Sequence, residues 1–230
     1  MKNFLKIFPL LFLTLLSCNE GEEVVVQKDD AVRLYIEAKI WGDEEKETLT
    51  CLLQVRKIGP NGKAILLPAP ASVALDGEVL EADSAGLSGV FYEKNLGAEG
   101  FSGIHSLRFT SPEGTIYEQE FEFNRFRLAD EVMGEMPGSP FTIKLVNLPD
   151  GNIRANLSLV DTSFATNDVN EKVMVRSGNL EITPQMLSRL NPGPVMMEIL
   201  LEDEVPLRMG IHHGRITTSY SLNREFILNP

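Results

Sequence analysis

Cysteine, tryptophan and histidine are scarce in this chain of 230 residues, which contains two, one and three of them. Each scarcity removes a class of function. Two cysteines cannot build a disulfide framework, and no CxxC pair exists to grip a metal or run thiol exchange. There is no HExxH pair for zinc, no GxSxG elbow for a nucleophilic serine and no glycine-rich loop for phosphate. Basic residues are outnumbered, 21 Lys and Arg against 33 Asp and Glu, for a formal net charge of −12. A surface of that sign repels nucleic acid and anionic lipid, so neither is an expected partner. The apolar run at 7–16 is about half the ~20 residues that a membrane-spanning helix needs. What remains is 43% hydrophobic and 23% charged, enough for packed cores and too apolar for disorder.

The first 18 residues read MKNFLKIFPLLFLTLLSC. Lys2 and Lys6 precede the apolar run, the order of a signal peptide. The run ends in Leu15-Leu16-Ser17-Cys18, which resembles the lipobox of bacterial lipoproteins: an aliphatic residue three before the cysteine and a small residue one before it. The resemblance implies a diacylglycerol group on the Cys18 thiol, a cut after Ser17 and acylation of the new amino terminus. More than one acyl chain is what a stable hold requires, at ~0.8 kcal/mol per buried CH₂. Losing residues 1–17 with their two lysines takes the net charge from −12 to −14. The following Asn19-Glu20-Gly21-Glu22-Glu23 resembles the acidic surface-export signal of some Gram-negative lipoproteins. The expected location is therefore the outer membrane, facing the cell exterior.

Beyond an acidic tether at 18–30, polarity alternates with a period of two. Val32, Leu34, Ile36, Ala38 and Ile40 alternate with Arg33, Tyr35, Glu37 and Lys39, the mark of a half-buried strand. Leu49, Cys51, Leu53 and Val55 share one face of the next, which makes Cys51 a core residue and not a reactive thiol. Asp76-Gly77 predicts a hairpin between strands at 72–75 and 78–81. Strands at 90–94, 103–110 and 115–123 complete about seven in a first domain, 31–127. The Gly- and Pro-rich stretch 128–140 breaks the alternation and marks a boundary. Strands resume at 141–146, 153–159, 172–176 and 179–182 in a second domain, 141–230. At Thr183-Pro184 a hydroxyl cap precedes a proline suited to the first helical position, with Leu187 and Leu190 placed to enter the core. A strand at 195–202 follows. This corner resembles the E-to-F crossing of immunoglobulin-like and fibronectin-like domains. A closing strand is predicted at 215–228. The fold expected is all-β, two tandem immunoglobulin-like β-sandwiches of about 100 residues each, although the Cys–Trp–Cys set of antibody domains is missing.

Few residues could carry chemistry. His105 alternates with Leu107 and Phe109, as a structural histidine would. His212 and His213 lie in a predicted loop or hairpin tip, with Glu202, Asp203 and Glu204 as acidic neighbours. On a strand, adjacent imidazoles point to opposite faces and cannot easily share a metal; in a loop they could. Asp43-Glu44-Glu45 lacks the alternating-ligand pattern of a calcium loop. Trp41 lies opposite Ile40 and is free to be exposed as a stacking platform for a sugar ring. Asp83-Ser84-Ala85 resembles the acceptor of surface O-glycosylation in some Gram-negative bacteria, which would place a glycan on Ser84.

The expectation is a lipid-anchored envelope protein with a non-catalytic binding or scaffolding role, no cofactor and no metal, and an envelope protein or glycan as partner. Glycan capture through Trp41 is the alternative, and a metal-assisted hydrolase using His212 and His213 the third reading. The anchor is directly testable. Mass spectrometry of the membrane-extracted protein should find an acylated Cys18 as its first residue, and Cys18→Ser should lose both the lipid and the cut after Ser17.

Overall fold

The computed structural model describes residues 33–85, 89–130, 134–162, 168–210 and 212–230; the leader, Cys18 and the tether lie outside the described residues. The first half holds eight strands. They are β1 (Leu34–Asp43), β2 (Thr48–Lys57), β3 (Ser72–Leu75), β4 (Glu78–Val79), β5 (Ala82–Ala85), β6 (Gly89–Gly97), β7 (Gly103–Thr110) and β8 (Ile116–Phe123). They pair in the order β5-β6-β2-β1 in one sheet and β4-β3-β7-β8 in the other. Lettered in chain order as A, B, C, C′, D, E, F and G, these are the ABED and C′CFG sheets of an immunoglobulin-like sandwich.

The second half repeats the plan. It contains β9 (Arg127–Leu128), β10 (Glu135–Met136), β11 (Phe141–Val146), β12 (Asn152–Asp161), β13 (Val169–Arg176), β14 (Asn179–Ile182), α1 (Pro184–Leu187), β15 (Gly193–Met209) and β16 (His212–Leu228). One layer is β13-β12-β15-β16, with β10 running parallel to the end of β16; the other is β14-β11-β9. Among the described residues, strand pairing joins the two layers at Arg176 and Asn179, where the chain turns over from β13 to β14. In the same lettering these are the C′CFG layer with a split first strand, and the B–E layer opposite. The all-β, immunoglobulin-like expectation therefore holds in strand order, and the E-to-F corner is where it was predicted. The Thr183 hydroxyl accepts from the Met186 amide at 3.3 Å, and Leu187 and Leu190 are buried.

The alternation explains the packing. Leu49, Cys51, Leu53 and Val55 are fully buried on the inner face of β2, while Phe121 and Phe123 are buried on β8 and Glu118, Glu120 and Glu122 are exposed. Phe141 of β11 meets Phe226 of β16 edge-on, joining the two layers of the second half.

The terminal hairpin is longer than its sequence pattern predicts. β15 and β16 run 17 residues each and stay in register from Gly193–Leu228 to Met209–His212. The near half belongs to the second sandwich. The far half reaches beyond it and lies against the first: residues 213–221 of β16 pair in parallel with residues 35–43 of β1. One sheet thus passes through both halves. The far half also contributes to the first core, since Leu207, Met209, Ile216 and Tyr220 are buried. Each such side chain contributes about 1.5–3 kcal/mol by leaving water. Tyr220 meets Phe123 and Phe126 edge-on, with ring centroids 6.1 and 5.7 Å away.

Close approach at this joint requires glycine. Gly214 pairs with Ile36, and a Cβ there would sit 1.8 Å from the Ile36 carbonyl oxygen. That contact is with backbone, so it cannot be relieved by a side-chain rotation. Gly214→Ala should therefore cost about 1–3 kcal/mol, read by thermal melting as roughly 2–4 °C per kcal/mol. Hydrogen exchange should quicken at the β1 amides. Gly97→Ala, where a Cβ would meet nothing within 4 Å, is the matched control and should leave β1 protected.

Candidate functional site

The outward face of the shared sheet carries the residues best placed to meet a partner. Strand register sets them in rows across β1, β16 and β15: Glu37–Arg215–Pro206, Lys39–Thr217–Glu204 and Trp41–Ser219–Glu202. The inward rows between them are apolar except for Thr218 and Asp203, and the two-residue period places the rows named above on the opposite face. Trp41, 39% exposed, borders a shallow depression of about 330 Å³ with Lys39, Glu202, Glu204, Arg215, Thr217 and Ser219.

A charged rung crosses this face. Arg215 donates to Glu37 from Nε at 3.0 Å and from Nη2 at 2.5 Å, and from Nη1 to Glu204 at 3.3 Å. Glu37 is itself largely buried, and Lys39 lies 3.9 Å from it. Hydrogen bonding to Glu37 raises the Arg215 pKa further above its ordinary value, so the cation is permanent. The face therefore presents an indole, a guanidinium, an ammonium, two carboxylates and two hydroxyls on rigid strands. It holds no nucleophile paired with a base.

The histidines are placed apart. His212 is a buried residue of β16, and His213 is exposed on the opposite face. The His212 ring stands edge-on to Phe109 and Tyr117, with centroids 5.2 and 5.7 Å away. Its Nδ1 accepts from the Leu34 amide at 3.2 Å, which makes it a pin between β16 and β1. His105 is likewise structural: Nδ1 meets Asp76 at 2.8 Å and the ring stacks on Phe101 at 3.7 Å. Among the described residues, no group of three His, Cys, Asp or Glu side chains comes together to hold a metal.

Other singled-out residues also have local partners. Asp43 accepts from the Lys46 amide at 2.9 Å, and Glu44 from Arg224 Nη2 at 2.8 Å, tying the β1–β2 turn to β16. Burial pushes the Cys51 thiol up to about 12, reinforced by Asp76 and opposed by Lys94, so it stays protonated and unreactive. Ser84 lies exposed on β5, an edge strand paired on one side by β6. Sequence reading found Trp41 and named Glu204 as a neighbour of the histidines, but missed its meeting with Arg215 and Glu37, because that convergence depends on a pairing between strands about 180 residues apart.

No family model and no curated relative matches the chain. Among solved structures it is similar to DIP-gamma IG1+IG2, with 11% identity, 81% of this chain and 94% of that one covered, and a TM-score of 0.24. It is also similar to Escherichia coli alpha-2-macroglobulin activated by porcine elastase, at 14% identity, 85% and 20% coverage, and a TM-score of 0.30. The Yersinia pseudotuberculosis adhesin InvE matches at 12% identity, 81% and 58% coverage, and a TM-score of 0.23. Strand order defines the class independently of these matches: the chain is a tandem immunoglobulin-like β-sandwich protein. Among the described residues, no helix is long and apolar enough to cross a membrane.

His212 makes the joint pH-sensitive. Burial lowers its pKa from the ordinary value near 6.5; Glu113 opposes this and His213 adds to it. As pH falls through 6.5, the unfolded chain takes up a proton that the folded chain still refuses, so stability falls. His212→Gln, which cannot titrate, should flatten that part of the curve. Urea unfolding from pH 7.5 to 5.5 measures it as the difference in slope between the two proteins.

Proposed function

We propose that this protein is a non-catalytic binding protein of the bacterial envelope, held by lipid on Cys18, with the Trp41 face as its contact surface. The observation that carries the reading is the exposed indole set among fixed charged and hydroxyl groups on a sheet shared by both halves. The division expected at 128–140 and the outer-membrane, exterior location belong to the same reading. The Gly- and Pro-rich break in alternation supports the division, and the lipobox-like sequence and acidic tether support the location.

A second reading, glycan capture, is favoured by one specific feature. An exposed indole offers a stacking surface to the apolar face of a sugar ring. Lys39, Arg215, Glu204, Thr217 and Ser219 supply donors and acceptors at its edge for ring hydroxyls.

Trp41→Ala separates these readings from a surface that binds nothing. The side chain is exposed, so the variant should keep its melting temperature. It should lose about 30-fold or more in affinity, as expected for a central aromatic anchor. Photo-crosslinking from position 39 in intact cells, with and without the substitution, reads the protein partner, and a glycan array with both proteins reads the sugar. Equal signals from wild type and Trp41→Ala in both assays would remove this face as the binding surface.

A further inference from the structure

A cleft opens between the end of β8 and the start of β12, beside the middle of the shared hairpin. It encloses about 380 Å³. Leu201, Asp203, Thr218 and Tyr220 come from the hairpin itself; Glu122 and Asn124 come from the end of β8, and Asn152 and Arg154 from the start of β12. The cleft is separate from the Trp41 face, apart from Glu202 and Ser219, which border both.

Three observations converge on it. The first is charge. Glu122, Glu202 and Asp203 line it against Arg154, an excess of two negative charges, and among the described residues none of the four makes an ion pair. Carboxylates grouped in a concave site concentrate a negative field toward whatever enters. The second is Thr218. It is 8% exposed, it interrupts the otherwise apolar inner row between Ile216 and Tyr220, and its hydroxyl meets no partner among the described residues. That hydroxyl keeps access to solvent, so it can exchange water for a ligand's polar group. The third is backbone. β12 pairs with β15 no further than Leu201, so beyond that point β15 has β16 as its hydrogen-bonding neighbour and a second edge open beside the cleft. Pro206 interrupts that edge five residues on, which confines any added strand to a short segment.

We propose that this cleft binds a short extended basic peptide segment of a partner protein. A Lys or Arg side chain would enter between Glu122 and Asp203, its polar end within reach of the Thr218 hydroxyl, and its backbone would follow the open edge of β15. A neutral saccharide would leave the excess charge unanswered, and an acidic peptide would be repelled by it. The inference does not use Trp41 itself, although Glu202 and Ser219 border both sites.

The test uses the full mature chain and the probe peptide acetyl-Gly-Arg-Gly-Arg-Gly-amide, with acetyl-Gly-Glu-Gly-Glu-Gly-amide and a chito-oligosaccharide as comparators. NMR amide shifts locate binding and a titration gives Kd. The arginine peptide should shift Leu201, Asp203 and Thr218, and its affinity should fall as salt rises. Glu122→Gln/Asp203→Asn, which alters only exposed side chains, should weaken it at least about tenfold. Thr218→Val should weaken it about threefold or more, while Trp41→Ala should leave it unchanged. Equal affinity in the doubly neutralised protein, shifts spread over the acidic surface away from the cleft, or preferential binding of the glutamate peptide or the saccharide would each overturn the proposal.

Discussion

The parallel pairing of β1 with the far half of β16 is the interaction on which the rest of this structure depends. A sandwich of the ABED type has its first strand at an edge, and an unpaired edge is a template for aggregation. Here that edge is covered by a hairpin belonging to the other half of the chain. The pairing also determines where side chains fall. It sets Trp41, Ser219 and Glu202 in one outward row, puts Arg215 between Glu37 and Glu204, and turns His212 inward onto Phe109. Without it the outward face would be split between β1 and the β15–β16 hairpin, and the Leu34 amide would lose its acceptor.

Its price in sequence is small residues at the contact. Gly214 stands where any side chain would collide with the Ile36 carbonyl, and a Cβ at Gly42 would lie 2.1 Å from Leu49 Cδ2. Both glycines invite reading as turn punctuation. Gly42, beside Asp43-Glu44-Glu45, does sit near a turn; Gly214, beside Gly210 and two histidines, sits inside a strand. That difference explains why the hairpin tip was expected in the 208–215 stretch while the strands continue through most of it. Parity still points the right way: His212, Ile216 and Tyr220 are four residues apart and share the inner face.

Much of the fold was legible because burial on one face of a strand writes itself as alternation. The β7, β11 and β14 segments, the Asp76-Gly77 hairpin and the Thr183-Pro184 corner all follow from local pattern. β5 and the two short pieces β9 and β10 were not foreseen: two residues are too few to show a period, and Ala82-Asp83-Ser84-Ala85 carries no large apolar residue to mark an inner face. The candidate site was legible only at Trp41, whose exposure follows from its position opposite Ile40. Its neighbours are drawn from β15 and β16, and parallel pairing across most of the chain length leaves no local signature in composition or spacing.

The same constraint decides where a partner can be received. Edges that stay open are defended: Ser84 and Asp83 lie exposed on β5, Glu118, Glu120 and Glu122 line β8, and Pro206 interrupts β15. The inner face of the hairpin is covered by the first sandwich at its far end and by the second at its near end. The middle, at Leu201, Asp203, Thr218 and Tyr220, borders the cleft between the end of β8 and the start of β12. Three of these residues are buried and Asp203 is exposed, so core and surface meet at this point of the hairpin. The acidic, partly buried character of this cleft therefore follows from side chains set where core and surface meet.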